Sequence, residues 1–403
     1  MMKKILVITW FYPPVNSSEG LVTYKLLNNS KYEFDVFTQK NSASWSYGNK
    51  DDLENNKNIN CIFAEADNLK DWQKEAILYF KKNKDKYDVV MTRSMPPESH
   101  KIGIQIKKIK PSIKWIASFG DPIANNPYVE LTKKMDHTRF LIRVKRFPKA
   151  IARNIYRKFI NEDPIENKTI KYANMIIFNS LEQKEYMLGN KKKDNIVLAH
   201  SFYDKLYPKN VKKYDDKIHI TYIGHLDKIR TPKLLFEVIN ELKMEDMELS
   251  KKLELNFYGN LSADDKLYVF NNELYDVIKY KKQVSYLESL AIMCKSNYLL
   301  HIDANLSLVN DKNIFFAAKL ADYIGSGTPI IGITMLEGAS ANILRNINGL
   351  VLTYSKSDIK NYIRKIVYEN YSFNLNKKDC LEFSEKNVAK EFDDMVEKLL
   401  EVK

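Results

Sequence analysis

The chain has little cysteine, no long apolar run, no short-period repeat and no glycine-rich dinucleotide fingerprint, and each absence removes a class of protein. Its three cysteines, Cys61, Cys294 and Cys380, are odd in number, scattered and without metal-ligand spacing. That argues against a disulfide framework or a zinc site and suits a reducing, cytoplasmic setting. No stretch approaches the roughly 20 apolar residues that cross a bilayer. The run after Lys3-Lys4 mimics a signal peptide, but it is short and meets Pro13-Pro14 with no small-residue cleavage site, so it reads as a buried first strand. No Gly-x-Gly-x-x-Gly follows a predicted strand, which disfavours a nicotinamide-dependent dehydrogenase. Acidic residues are in deficit: 64 Lys and Arg against 51 Asp and Glu leave a net charge of +13. The expected partner is therefore anionic: a phosphate-bearing small molecule, an acidic membrane surface or nucleic acid.

What is present describes a soluble globular protein, with 44% apolar and 29% charged residues. At 403 residues the chain is too long for one ordinary core, and two domains are expected. Continuous apolar runs alternate with helical patterns. The first series is Lys4–Trp10, Phe34–Phe37, Ile59–Phe63, Val89–Thr92, Lys114–Ser118, Met175–Phe178 and Ile196–Ala199. A second follows at Ile218–Ile223, Leu253–Tyr258, Val277–Ile278, Tyr298–Ile302, Pro329–Ile333 and Gly349–Leu352. Such runs suit parallel sheets covered on both faces. The fold class is α/β, with two tandem Rossmann-like doubly wound domains facing a cleft. Residues 1–205 form the first domain, a polar linker spans 206–216, and 217–380 form the second. The tail 381–403 has helical spacing and is expected to pack back across the domain junction.

Much of the excess charge lies between Leu131 and Ile160, where ten Lys and Arg face only Asp136. Within 139–159, basic residues alternate with bulky apolar ones and Pro148 breaks the stretch in two. Each piece can show one apolar and one cationic side, the pattern of a segment lying on an anionic membrane. The bland alternative is a basic helix packed on its own domain. Nucleic-acid binding would explain the charge, but no reader module is recognisable and two nucleotide-type domains would be left without a role.

Three strand ends and one helix carry the candidate chemistry. After Ile218–Ile223 comes Gly224, then Arg230-Thr-Pro-Lys233, with Thr231 expected to cap a helix that begins at Pro232. A helix start flanked by Arg230 and Lys233 suits a diphosphate, though both charges also fit simple solvation. Gly259 and Asn260 end the next strand, where open α/β sheets bind ligands. His301-Ile-Asp303 ends another. The stretch Asn313–Gly332 reads as a helix, a glycine turn and a buried strand. Within it Lys319 and Asp322 share a helical face, either as a surface ion pair or as holders of a phosphate and a ribose diol.

Taken together, Gly224-His, Arg230-Thr-Pro, Phe-Tyr-Gly259-Asn, His-Ile-Asp303 and Lys319-Leu-Ala-Asp322-Tyr-Ile-Gly-Ser-Gly-Thr-Pro329 resemble the donor half of GT-B fold glycosyltransferases. The likeness is to the large retaining, metal-independent family (family 4-like, group 1) that uses nucleoside-diphosphate sugars. It implies that Arg230 contacts the diphosphate and Asp322 the ribose. Where that family has a further glutamate on the donor sugar, this chain has Ile314, leaving Asn313 or Lys319 to substitute; His225 stands in place of an arginine. In the first half, Trp10-Phe-Tyr-Pro-Pro14 with Ser17-Ser-Glu-Gly20 resembles the family's glycine loop, which places Gly20 at the donor phosphate. Asp121, in Gly-Asp121-Pro122, corresponds to elements near the reacting centre, and His100 is a second catalytic candidate. The resemblance implies sugar transfer from a nucleotide-sugar donor to a glycan or lipid-linked acceptor, with no cofactor or metal. The rivals are a non-catalytic glycosyltransferase-like partner protein and a sugar-nucleotide epimerase of similar fold.

Overall fold

The computed structural model describes residues 3–15, 17–40, 53, 55–143 and 164–401, and of 136–143 the backbone alone. The basic segment 139–159 thus lies outside the described residues, apart from the backbone of 139–143. Among the described residues no helix is long and apolar enough to cross a membrane.

Two parallel sheets form the frame. The first contains β1 (Lys4–Ile8), β2 (Glu33–Gln39), β3 (Ile59–Ala64), β4 (Val89–Arg93), β5 (Lys114–Ser118), β6 (Met175–Phe178) and β7 (Asn195–Val197), in the order β3-β2-β1-β4-β5-β6-β7. The second contains β8 (Ile218–His225), β9 (Leu253–Asn260), β10 (Ile278–Lys281), β11 (Tyr298–Ile302), β12 (Ile330–Ile333) and β13 (Leu350–Leu352), in the order β10-β9-β8-β11-β12-β13. Ile5, Leu6, Val7 and Ile8 are fully buried, as expected for a strand with helices on both faces. In each sheet the fourth strand of the series lies beside the first, so the chain direction switches between β1 and β4 and between β8 and β11. Crevices at such switch points, at the carboxyl ends of the strands, are where this architecture binds ligands.

The thirteen expected strands are all present, with shifted ends. β8 and β9 run two residues past their expected limits because the extensions pair with each other, Gly224 with Gly259 and His225 with Asn260. Two helix expectations need correction. Thr231 does not cap from the expected position: the helix is Lys233–Glu245 with Pro232 before it, and the Thr231 hydroxyl accepts from Lys233 N at 3.1 Å while donating to Asp265 at 2.9 Å. The stretch from Asn313 is not helical until Ala318. Asn313 N donates to Glu337 O and Asn313 O accepts from Ala339 N, which draws the segment into a bridge with Gly338, and the helix spans only Ala318–Ser326.

The helix Glu385–Glu401 buries Val388, Phe392, Met395, Val396 and Leu399 against Ile5, Val7 and Phe34 of the first sheet. Its Asp393 accepts from Ser30 Oγ and Lys31 N. The chain therefore returns to its first half after completing its second.

Candidate active site

The carboxyl edges of the two sheets face one cleft of about 1340 Å³. Its second-domain wall is cationic. Gly224 and Gly259 are the next-to-last residues of β8 and β9, with φ of +131° and +123°, and a Cβ at Gly259 would stand 2.3 Å from Gly224 O. Only glycine allows these strand ends to approach so closely, and it leaves the wall low enough for Lys319 to lie over it. Lys319 Nζ sits 3.7 Å from the centre of the Tyr222 ring and donates to the Tyr222 hydroxyl. Burial, and then the neighbouring Arg230, push the Lys319 ammonium pKa well below its ordinary value. The helix Ala318–Ser326 starts at the cleft with no side-chain cap. Its first-turn N–H groups and the two cations form a receptive site for an anion.

Asp303, at the end of β11, lies beneath these cations. Its Oδ1 is 3.0 Å from His301 Nε2 and its Oδ2 accepts from Thr334 at 2.8 Å. Burial alone would raise its carboxyl, but His301, Arg230 and Thr334 overcome that and hold it at about 2. It therefore stays ionised as counter-charge to the cationic wall. Arg230 lines the cleft, and its Nε is buried without a hydrogen-bond partner.

The first-domain wall is acidic. Arg93, at the end of β4, donates through Nε to Glu19 at 2.9 Å and through Nη1 to Ser118 at 2.9 Å. The Glu19 carboxylate rests against Gly120, where a Cβ would meet it at 2.7 Å. Asp121 follows. Its carboxyl is raised to about 7, first by burial and next by the Glu19 charge, against the opposing pull of Arg93 and Arg230. Arg230 of one sheet and Asp121 of the other thus share one electrostatic environment.

Asp121, Gly224, Arg230, Gly259, Asn260, Asp303, Lys319 and Asp322 all line the cleft. The other three candidates do not. His100 is fully buried with Nδ1 2.8 Å from Thr92 Oγ1 and its ring 4.6 Å from that of Phe119, and burial depresses its imidazole to about 3. It is a neutral core histidine behind the wall. Gly20 packs against the backbone of Phe11 and Tyr12, and Lys233 is exposed outside the lining. Lys319 and Asp322 do not pair with each other: Asp322 Oδ1 accepts from Lys25 Nζ at 2.8 Å and from the Tyr286 hydroxyl at 2.9 Å, an ion pair buried between the two halves. Asn313 Oδ1 accepts from Phe315 N, turning the extended segment along the cleft.

Sequence reasoning missed Glu19, Lys25, Arg93, Tyr128 and His200. Glu19 was within reach, since it adjoins Gly20 in the loop already singled out. His200 lines the cleft with Nδ1 buried and unpartnered, and its ring is 5.1 Å from Phe316; burial, then Arg93 and Lys25, keep it neutral. No local pattern distinguishes it.

No family model and no curated protein sequence matches the chain. Solved structures do match across its length. Sucrose-phosphate synthase from Thermosynechococcus elongatus superposes with a TM-score of 0.68 at 13% identity, covering 100% of both chains. The lipopolysaccharide outer core galactosyltransferase WaaB gives 0.61 at 14%, covering 98% of this chain and 99% of that one. An E. coli trehalose-6-phosphate protein bound with UDP-2-fluoro glucose gives 0.64 at 9%, covering 100% of both. The chain has the two-domain GT-B fold of these glycosyltransferases. The fold is not confined to sugar transfer: a Listeria monocytogenes protein described as a UDP-N-acetylglucosamine 2-epimerase shares it with a TM-score of 0.60 at 11% identity.

Proposed function

We propose that the protein transfers a sugar from a nucleoside-diphosphate sugar to a glycan or lipid-linked acceptor, with retention at the anomeric carbon and without a metal. One observation carries the reading: Arg230, Lys319 and an uncapped helix start face Asp121 and Glu19 across a single cleft. A diphosphate fits the cationic wall and a polyhydroxylated acceptor the acidic one, because carboxylates accept from sugar hydroxyls. The barrier to transfer lies in expelling the diphosphate while positive charge develops on the sugar ring. Arg230, Lys319 and the helix amides offset the leaving group's charge, the part elsewhere played by a metal. Asp121 lies where an acceptor hydroxyl would arrive and is suited to orient it or take up its proton.

The decisive experiment is Arg230→Ala. Loss of one charged donor at a developing anion is expected to lower the rate by about a hundredfold or more in a chain that still folds, as circular dichroism would check. A variant that transfers sugar normally would sink the phosphate assignment. A panel of nucleotide sugars tested for thermal stabilisation identifies the donor. The anomeric configuration of the product and activity in a chelator then test retention and metal independence. Turnover of the donor without any acceptor would favour the epimerase reading, and failure to bind any nucleotide sugar would favour a non-catalytic partner. The proposed membrane attachment through 139–159 is tested by binding to acidic liposomes at physiological salt, and failure to bind would sink it.

A further inference from the structure

We propose that Tyr128 is a positioning residue for the donor diphosphate, reaching from the first half of the chain to hold Arg230 of the second; the inference rests on the donor-site reading above. The helix Pro127–Arg143 follows β5 in the chain and belongs by sequence to the first sheet, yet its first turns dock on the second. Leu131 is buried with Ala304 and Leu306, and Ile229, Val309, Phe315 and Met335 pack around them. Lys134 Nζ donates to Leu308 O at 2.6 Å. This anchorage fixes Tyr128 one turn earlier, where two contacts meet the same loop. Its hydroxyl donates to Asp227 Oδ2, and its ring lies 6.0 Å from Arg230 Cζ.

Asp227 is the hub of that loop. Its Oδ1 accepts from the backbone N–H groups of Ile229 and Arg230, both at 2.8 Å, and its own N–H donates to Arg230 O at 3.0 Å. Tyr128 therefore holds the second oxygen of the carboxylate that shapes the Arg230 backbone, while its ring faces the Arg230 side chain. A guanidinium near an aromatic face is attracted by the ring without using up its N–H donors, which remain available for a phosphate. The buried, unpartnered Arg230 Nε is such a donor. Within its own half Arg230 neighbours Asp303 and Tyr222; the contact with Tyr128 makes its aim depend on the first half as well. Diphosphate recognition is thereby coupled to the juxtaposition of donor and acceptor walls.

The test uses the full chain. UDP, GDP and ADP are titrated calorimetrically, and the one that binds is compared with its parent nucleoside. Tyr128→Leu is expected to weaken the nucleoside diphosphate about tenfold, the scale of a desolvated cation–π contact, and to leave the nucleoside unchanged. Tyr128→Phe keeps the ring but releases Asp227 Oδ2, and is expected to weaken the diphosphate by a smaller but measurable factor of about three to five. In an Arg230→Ala background neither substitution makes a further difference. The cycle with Tyr128→Phe stands by itself if the leucine chain does not fold. Equal weakening of diphosphate and nucleoside, additivity with Arg230→Ala, or variants that bind the diphosphate like the parent would each overturn the proposal. If Arg230→Ala itself binds the diphosphate like the parent, or no nucleoside diphosphate binds, the donor-site reading falls irrespective of Tyr128.

Discussion

Asp121 holds its proton to about pH 7 because burial and the neighbouring Glu19 disfavour a second negative charge on the acidic wall. A carboxyl whose folded pKa lies above its unfolded value favours the fold fully only below about pH 4, and that contribution is lost as pH rises through about 7. Asp121→Asn, which never ionises, should therefore be more stable than the parent at pH 8 by something on the order of 1–4 kcal/mol. The difference should vanish below about pH 4, and urea midpoints measured at pH 4, 6 and 8 would show it. If the ionised form serves the acceptor, turnover should rise through the same window and be lost in the asparagine variant. The two other titratable candidates nearby behave differently. His100 and His200 are both buried and held neutral, so neither supplies a titration near pH 7. The family resemblance offered Asp121 first and His100 as a second catalytic candidate. What separates them is which side of the β4–β5 wall each faces, and that depends on packing against Phe119 and Thr92 rather than on any local pattern.

At the scale of elements, the paired glycines at the ends of β8 and β9 show why these strand ends were readable and why their exact form was not. A strand of continuous apolar residues ending in glycine and a polar residue marks a carboxyl edge, so Gly224 and Gly259 were legible as site glycines. That they pair with each other is a register, fixed by two strands some thirty residues apart in the chain. The register yields a prediction. A Cβ at Gly259 would meet Gly224 O at 2.3 Å, and φ of +123° is itself strained for any other residue. Gly259→Ala should cost about 2–4 kcal/mol and shift the Lys319 side of the cleft. Urea denaturation checks the cost, and nucleotide-sugar affinity checks the shift; a fully stable variant with parental affinity would show that the strand ends do not need this contact. The extended run from Asn313 failed as a helix reading for a related reason. Asn313, Ile314, Phe315 and Phe316 are only moderate helix formers, and the bridge to Gly338 engages the Asn313 backbone, so tertiary pairing overrides a weak local preference.

The whole molecule is closed by contacts that join distant parts of the chain. Helical spacing in the tail was legible because Val388, Phe392, Met395 and Leu399 recur at near-helical intervals; the surface that receives them was not, since nothing in a stripe of apolar residues names its partner. The buried Lys25–Asp322 pair was equally hidden, because its two members stand on different sheets' helices and each alone reads as a surface charge. Together these contacts predict one cooperative unit rather than two independent domains. Phe392 is fully buried and packs 6.5 Å from Phe34 of the first sheet, although its helix follows the second. Truncating it should remove about 3–5 kcal/mol. The tryptophans all stand in the first half of the chain, at positions 10, 45, 72 and 115, so their fluorescence reports that half alone while far-ultraviolet circular dichroism reports both. If the halves unfold together, Phe392→Ala will lower the urea midpoint of both signals equally and leave a single transition. A fluorescence transition that moves to lower urea while part of the dichroism change stays behind would show that the second half stands without the first, and that the returning helix stabilises only the sheet it covers.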